Sequence, residues 1–197
     1  MKFDLELNDK TKKILDNAID EPISVDEANY LINVQGQDLF GLLAAADKVR
    51  ENVVGNKVTF INNCNLNFTN VCKVLCGFCA FGKSRNDPEA YILTDEEIIQ
   101  KADSAVKTGA HEFTLMGGVL PEADIDYYEH LLKLLKDHYP NTMIHGFSPT
   151  MIYDAAQVSE MDIKEAFQVL KKAGLDSLPG TAAEILTDRE IGRASCR

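Results

Sequence analysis

The sequence lacks the features that would point to a membrane or to nucleic acid. No apolar run among its 197 residues approaches the length of a membrane span, and the N-terminus has no apolar signal core. No cluster of lysine or arginine stands out, and the formal net charge is −11 at pH 7. Since phosphate binding needs local positive charge, a nucleic-acid groove is not expected. We therefore expect a cytoplasmic protein with no membrane or nucleic-acid partner and with a solvated acidic surface.

Cysteines are few, and their distribution disfavours a disulfide framework. Three of the five, Cys72, Cys76 and Cys79, have C-x3-C-x2-C spacing. A short loop can direct three thiolates at one soft metal centre. Structural zinc usually takes four ligands from two knuckles, and neither a second C-x2-C knuckle nor a close histidine pair follows. Zinc and unliganded core cysteines are the alternatives, but three thiolates with an open fourth position favour a 4Fe-4S cluster.

The rest of the chain predicts an α/β fold. Residues 1–55 read as a helical lead-in, in which Ser24 and Glu27 form a capping box and Asp38 caps a later helix. Residues 56–190 then alternate strands with helices, which implies a parallel sheet with right-handed crossovers. One of these helices opens at a second capping box, Thr94 to Glu97. The predicted strands cover residues 65–68, 112–116, 143–147 and 175–178.

In barrels of this type the chemistry lies at the carboxyl ends of the strands. Here those ends carry the cysteines, the pair Gly117-Gly118, His145, and the segment with Thr181 and Glu184. The glycines let backbone approach a ligand, although a Gly-Gly pair is often only a turn. His145 is either a satisfied core histidine or an inward substrate or proton-transfer residue. Glu184 is either a first-turn acid or, with Thr181, a ribose or substrate contact. Ser148, a weaker candidate, can cap the following turn, and His111, His130 and His138 are expected at the surface.

Five segments together resemble the radical S-adenosylmethionine (radical SAM) enzymes, with Phe78 directly before the third cysteine. They are Asn-Phe-Thr-Asn-Val-Cys, Cys-Gly-Phe-Cys-Ala-Phe, Gly-Gly-Val-Leu-Pro-Glu, His-Gly-Phe-Ser-Pro and Pro-Gly-Thr-Ala-Ala-Glu-Ile-Leu. The similarity is to a subgroup that contains both activities of FO synthase, in coenzyme F-420 biosynthesis, and two enzymes of the futalosine route to menaquinone. The resemblance implies the N-terminal half of a radical SAM TIM-type (β/α) barrel.

The resemblance also implies cofactors and a reaction. Cys72, Cys76 and Cys79 would hold the 4Fe-4S cluster, whose open iron binds S-adenosylmethionine. Phe78, Gly117, Gly118, Thr181 and Glu184 would form the cofactor-binding region, with His145 as the candidate catalytic residue. Within the subgroup, the similarity favours the tyrosine-using (CofH-type) half of FO synthase. In that reaction a 5′-deoxyadenosyl radical abstracts hydrogen from tyrosine, and the Cα–Cβ bond of tyrosine then breaks. The 4-hydroxybenzyl group that is released adds to 5-amino-6-(D-ribitylamino)uracil. An electron donor and a CofG-type partner enzyme, which cyclises the product, would be the partners.

Three features keep other assignments open. Residues 85–91 are similar to a stretch of aminofutalosine synthase, which favours a menaquinone-pathway enzyme. Met116 stands where the subgroup has Gln, and Leu120 where it has His, so the substrate is in doubt more than the radical chemistry. A non-catalytic zinc-binding module and a fragment that binds nothing are the alternatives from other classes.

The last seven residues break the pattern of the subgroup. Residues 191–197 back-translate to a string like a common sequencing adapter, and the alternative is a native C-terminus. We therefore expect residues 191–197 to be an artefact and Cys196 to have no role as a ligand. An eight-strand barrel needs about 250 residues, so the chain is expected to be truncated and to hold half of one.

Overall fold

The computed structural model describes residues 5–77 and 79–180, in two compact units that divide between Phe60 and Ile61. The predictions for Phe78, Thr181, Glu184 and residues 191–197 lie outside the described residues. None of the helices in the described ranges has both the length and the apolar character that crossing a membrane would require.

The first unit contains three helices, α1 (Asp9–Ala18), α2 (Val25–Leu31) and α3 (Gly36–Val54). The capping box that begins α2 is confirmed, because Ser24 Oγ accepts the Glu27 N–H and Glu27 Oε2 accepts the Ser24 N–H. The predicted cap at Asp38 is wrong. Asp38 lies inside the first turn of α3, and its carboxylate instead accepts the Asn8 N–H at 2.8 Å. The buried core of this unit is small: Ile14, Leu15 and Leu31.

The second unit is a parallel sheet with helices, as predicted. The strands β1 (Asn63–Thr69), β2 (Glu112–Gly117) and β3 (Met143–Gly146) lie in the order β1-β2-β3. The helices are α4 (Asp95–Lys107), α5 (Ile125–His138), α6 (Pro149–Val158) and α7 (Ile163–Ala173). The predicted capping box of α4 is present, since Thr94 Oγ1 accepts the Glu97 N–H.

Two parts of this unit differ from the sequence prediction. Residues 175–178 do not form a strand; Ser177 makes one isolated parallel bridge to His145. Helix α6 was not predicted, although Ser148 and Pro149 are a standard helix start. Ser148 Oγ accepts the Met151 N–H at 3.1 Å, so its observed role is that of a cap. His111, His130 and His138 are exposed, as predicted.

The two faces of the sheet have opposite characters, because side chains alternate along each strand. The face that packs against the helices is apolar and buried, and it carries Leu66, Phe68, Phe113, Leu115 and Ile144. The other face carries Asn65, Asn67, Thr114, Met116 and His145, all partly or fully accessible. The accessible face is therefore the polar one, and the cysteine loop follows the end of its first strand.

Candidate functional site

The cysteine loop leaves β1 and is held to the ends of the strands by backbone hydrogen bonds. The Cys72 N–H donates to the Lys83 carbonyl at 2.9 Å, and the Lys83 N–H donates to the Asn70 carbonyl at 2.8 Å. Further along, the Cys79 N–H donates to the Cys76 carbonyl at 3.0 Å, so the second and third cysteines lie on one turn. The chain thus returns to β1 after presenting its three thiols.

Asn70 closes the base of this loop. Its side-chain amide donates to the Glu89 carbonyl and its oxygen accepts the Tyr91 N–H, both at 2.8 Å. The Asn70 N–H also donates to the Tyr91 carbonyl at 3.3 Å, and Asn70 is only 5% exposed. We call this set of bonds the Asn70 clasp. It was not predicted, because an asparagine after a strand carries no local signal of a partner some 20 residues away.

Close packing explains why residues 117 and 118 are glycines, and the sequence alone did not reveal this packing. A Cβ atom on Gly117 would lie 2.8 Å from the Phe68 ring. A Cβ atom on Gly118 would lie 2.2 Å from the Val71 carbonyl oxygen and 2.8 Å from Cys72 Cβ. The cysteine loop therefore passes directly over Gly118. The next residue extends this contact, since the Val119 N–H points at Cys72 Sγ at 3.4 Å.

Two ion pairs join the loop region to the neighbouring elements. Lys73 pairs with Asp154 of α6, and Arg85 pairs with Glu122, which follows β2. The Lys73 N–H also donates to the Val119 carbonyl at 2.9 Å. The Arg85 pair is about half exposed on both sides, so solvent weakens it. The more shielded Lys73–Asp154 pair is the stronger restraint on the residue next to Cys72.

The thiols match the donor chemistry of an iron–sulfur cluster without converging on one point. Cys72 and Cys76 are partly buried, and Cys79 is exposed. Among the described residues, no group of three Cys, His, Asp or Glu side chains is close enough to hold a metal ion. Yet three soft donors lie on one loop, which is the donor set of a 4Fe-4S cluster with one open iron. The donor chemistry thus fits the group, and binding it requires the three thiols to move towards a common point.

His145 lies on the accessible face of the sheet, beside Thr114 of β2. Its Nδ1 is hydrogen bonded to Ser177 Oγ at 2.7 Å, which leaves Nε2 as the ring nitrogen available to another group. The side chain is half-buried and faces away from the helices. This position agrees with the inward orientation expected for it.

A cluster of aromatic rings packs behind the site, with Phe68 at its centre. The rings of Tyr128 and Phe147 have centroids 4.6 Å apart, and those of Tyr127 and Tyr128 lie 5.5 Å apart. Burial raises the pKa of Tyr127 to about 12. Burial, reinforced by Tyr127, Asp154 and Cys72, raises the pKa of Tyr128 still further. Both phenols are therefore neutral at physiological pH and bring no charge to the region behind Cys72.

Comparisons with known proteins agree with this arrangement. Over 184 residues the chain is 46% identical to the 5-amino-6-(D-ribitylamino)uracil–L-tyrosine 4-hydroxyphenyl transferase of Methanothermobacter thermautotrophicus, an alignment that covers 93% of the chain and 50% of that protein. It is 42% identical over 173 residues to the protein of the same name from Methanopyrus kandleri, with coverage of 87% and 47%. The chain spans about half the length of the curated relatives it matches.

Solved structures share the fold. Methylornithine synthase (PylB) aligns with a TM-score of 0.55 and 22% identity, over 87% of this chain and 58% of that one. HydG, a maturase of the [FeFe]-hydrogenase, aligns with a TM-score of 0.59 and 18% identity, over 87% and 46%. The model of the radical SAM superfamily matches residues 66–190, which include the cysteine loop, the glycine pair and His145. The chain belongs to the radical SAM superfamily.

Proposed function

We propose that the chain belongs to a transferase that joins the 4-hydroxybenzyl group of L-tyrosine to 5-amino-6-(D-ribitylamino)uracil. The observation that carries the proposal is 46% identity, over 93% of the chain, to a relative whose name states this activity. At 18–22% identity, the solved structures support the fold alone. The product would be consumed by a partner enzyme, of the CofG type, that closes the deazaflavin ring.

The cofactors of this superfamily are a 4Fe-4S cluster and S-adenosylmethionine. When bound, they supply a 5′-deoxyadenosyl radical after one electron arrives from a donor. We assign Cys72, Cys76 and Cys79 as the cluster ligands, because they are three soft donors on one loop. Phe78, Thr181 and Glu184, which lie outside the described residues, are proposed to complete the cofactor region with Gly117 and Gly118.

The residues around the loop would orient it and exclude water. The Asn70 clasp fixes where the loop begins and ends, and Lys73 with Asp154 restrains the residue after Cys72. The Val119 N–H, which lies 3.4 Å from Cys72 Sγ, would stabilise a thiolate there by donating a hydrogen bond. His145, with one nitrogen held by Ser177, would offer the other nitrogen to a substrate or a proton.

The test is anaerobic reconstitution of the protein expressed from the complete gene, with S-adenosylmethionine and a reductant. Addition of tyrosine and ribitylaminouracil should yield 5′-deoxyadenosine and a hydroxybenzyl–uracil adduct, identified by mass spectrometry. Cys72→Ala should abolish both products and lower the bound iron. Cys64→Ala, which removes a thiol outside the loop, is the matched control. This variant should still form both products and bind as much iron as the unaltered protein.

Two results would contradict the proposal. S-adenosylmethionine cleavage without the adduct, combined with turnover of a futalosine-type nucleoside, would transfer the protein to menaquinone synthesis. One equivalent of zinc and no iron in protein purified without oxygen would mean that the cysteines form a structural zinc site.

A further inference from the structure

A row of four polar side chains, none of them an acid, a lysine or an arginine, crosses the accessible face of the sheet. In the strand register Asn65 lies beside Thr114, Thr114 beside His145, and His145 beside Ser177. All four positions are partly or fully accessible, whereas the rows on the opposite face are buried. We call these four residues the polar row. A continuous polar row on the inner side of a barrel-type sheet needs an explanation, because such interiors are normally filled by branched apolar residues.

The polar row has hydrogen-bonding capacity to spare. Asn65 is exposed and Thr114 is partly exposed, so the amide of one and the hydroxyl of the other can reach a ligand. His145 and Ser177 bond to each other at 2.7 Å, and each keeps a further donor or acceptor position. A ligand on this face could therefore both donate hydrogen bonds to the row and accept hydrogen bonds from it.

The polar row also has no carboxylate, lysine or arginine. The nearest ionisable side chain on the same face of β2 is Glu112, two residues before Thr114 and so about 7 Å along the strand. Glu112 is buried, with 8% of its surface exposed, at the end of the strand away from the cysteine loop. An amino acid, with its ammonium and carboxylate groups, would be poorly matched here, because none of the four side chains carries a permanent charge that could pair with either group.

We propose that the polar row binds the uncharged, polyhydroxylated substrate, ribitylaminouracil, and that tyrosine is held elsewhere. This inference rests on the proposed function and assigns one of its two substrates to a place. Neighbouring strands lie about 4.8 Å apart, so the polar row is about 14 Å long. That length lets a ring imide contact one end while ribityl hydroxyls contact the other. Asn65, Thr114 and Ser177 are thereby specificity residues, and His145 lies between the two parts of the ligand.

The experiment measures equilibrium binding by calorimetry on the cluster-loaded protein expressed from the complete gene. Ribitylaminouracil and L-tyrosine are titrated separately. Thr114→Val, which keeps the shape but removes the hydroxyl, should weaken ribitylaminouracil binding about threefold to tenfold and leave tyrosine binding unchanged. Ser177→Ala should have an effect of similar size, because it removes one contact and releases the His145 ring.

Two control variants separate a lost contact from damage to the fold. Thr114→Ser restores the hydroxyl and should restore most of the affinity. Ser104→Ala removes a hydroxyl on α4 that bonds only to Gln100 of the same helix, and it should leave both affinities unchanged. Iron content and thermal unfolding are measured for every variant, so that a poorly folded protein is recognised before its affinity is interpreted.

The outcomes are distinct. Weaker tyrosine binding with unchanged ribitylaminouracil binding would overturn the proposal and place the amino acid on the polar row. Unchanged binding of both ligands in Thr114→Val and Ser177→Ala would overturn it as well. If the unaltered protein binds neither ligand and forms no adduct, the proposed function itself fails, and the assignment of this surface fails with it.

Discussion

The Val71 carbonyl oxygen lies 2.2 Å from the position that a Cβ atom on Gly118 would occupy. Because that contact is with backbone, the cysteine loop must shift to accommodate any side chain there. Gly118→Ala is expected to destabilise the protein by about 1–3 kcal/mol and to reduce iron loading. Gly77→Ala, on the same loop but with nothing within 4 Å of its Cβ position, is the control for stability. Chemical denaturation and iron analysis would measure both, and equal stability of the two variants would contradict this account.

Asn70 gives a second prediction for a single residue. Asn70→Ala would remove a 5% exposed side chain and leave the Glu89 carbonyl and the Tyr91 N–H without the partner it provides. The free energy of unfolding should fall by about 1–3 kcal/mol, because two partly buried hydrogen bonds are lost together. Asn86→Ala, at an exposed position of the same loop, should have little effect. Denaturant unfolding of the two variants provides the comparison.

The roles of single residues could be predicted where the chemistry is local. The thiol spacing and the capping boxes at Ser24 and Thr94 depend on residues a few positions apart, and the structure contains both boxes. The Asn70 clasp and the contact over Gly118 join residues that are distant in sequence, so spacing carries no signal of them. Asn65 and Thr114 were missed for the same reason, since only the strand register places them side by side.

Between elements, the end of α5 is tied to the chain after α7 by a charged pair. Lys136 Nζ donates to Asp176 Oδ2 at 2.8 Å and to the Thr142 carbonyl at 2.9 Å, and Asp176 also accepts the Ile144 N–H. Burial alone would raise the pKa of Asp176, but the hydrogen bonds from Lys136 and Ile144 outweigh it and lower that pKa. The folded state therefore favours the ionised carboxylate.

The sign of the pH dependence follows from that lowered pKa. The stabilisation by Asp176 is fully present above the unfolded pKa of about 4 and is lost as the pH falls through the lower folded value. Asp176→Asn should reduce stability at pH 7 by up to about 1 kcal/mol, since the pair is partly exposed. Thermal unfolding across this pH range should show the gap between the two proteins closing in acid. A constant gap would contradict the assignment.

A helix or strand could be predicted from the sequence where its own residues mark its start or end. Helix α4 begins where its capping box predicts, because Thr94 and Glu97 are only three residues apart and signal the start locally. The expected fourth strand has an extended pattern, but a strand needs a continuous ladder with its partner. Residues 175–178 bond to β3 only around Asp176 and Ser177, which gives one isolated bridge. Helix α6 was not predicted, although Ser148 and Pro149 mark its start, because its first turn has no acidic residue and its last turn no basic one.

For the whole molecule, the two units differ greatly in how much apolar surface they bury. Among the residues that the structure describes, the core of the first unit consists of three buried residues, whereas that of the second includes Phe68, Phe113, Phe147 and more than twenty others. Local stability follows the density of buried contacts. Amides of α1–α3 should therefore exchange with deuterium well before those of β1–β3. Hydrogen-exchange mass spectrometry would measure the difference, and equal protection of both units would refute it.

The Asn70 clasp has an evolutionary consequence. Because Asn70 bonds directly to Glu89 and Tyr91, the two ends of the cysteine loop meet as closely as the ends of a hairpin. The cost of closing a loop grows only slowly with its length, so a change of length that keeps the contacts of Cys72, Lys73 and Arg85 would leave the strands in place. The sequence of the cysteine loop and that of the sheet can therefore evolve at different rates.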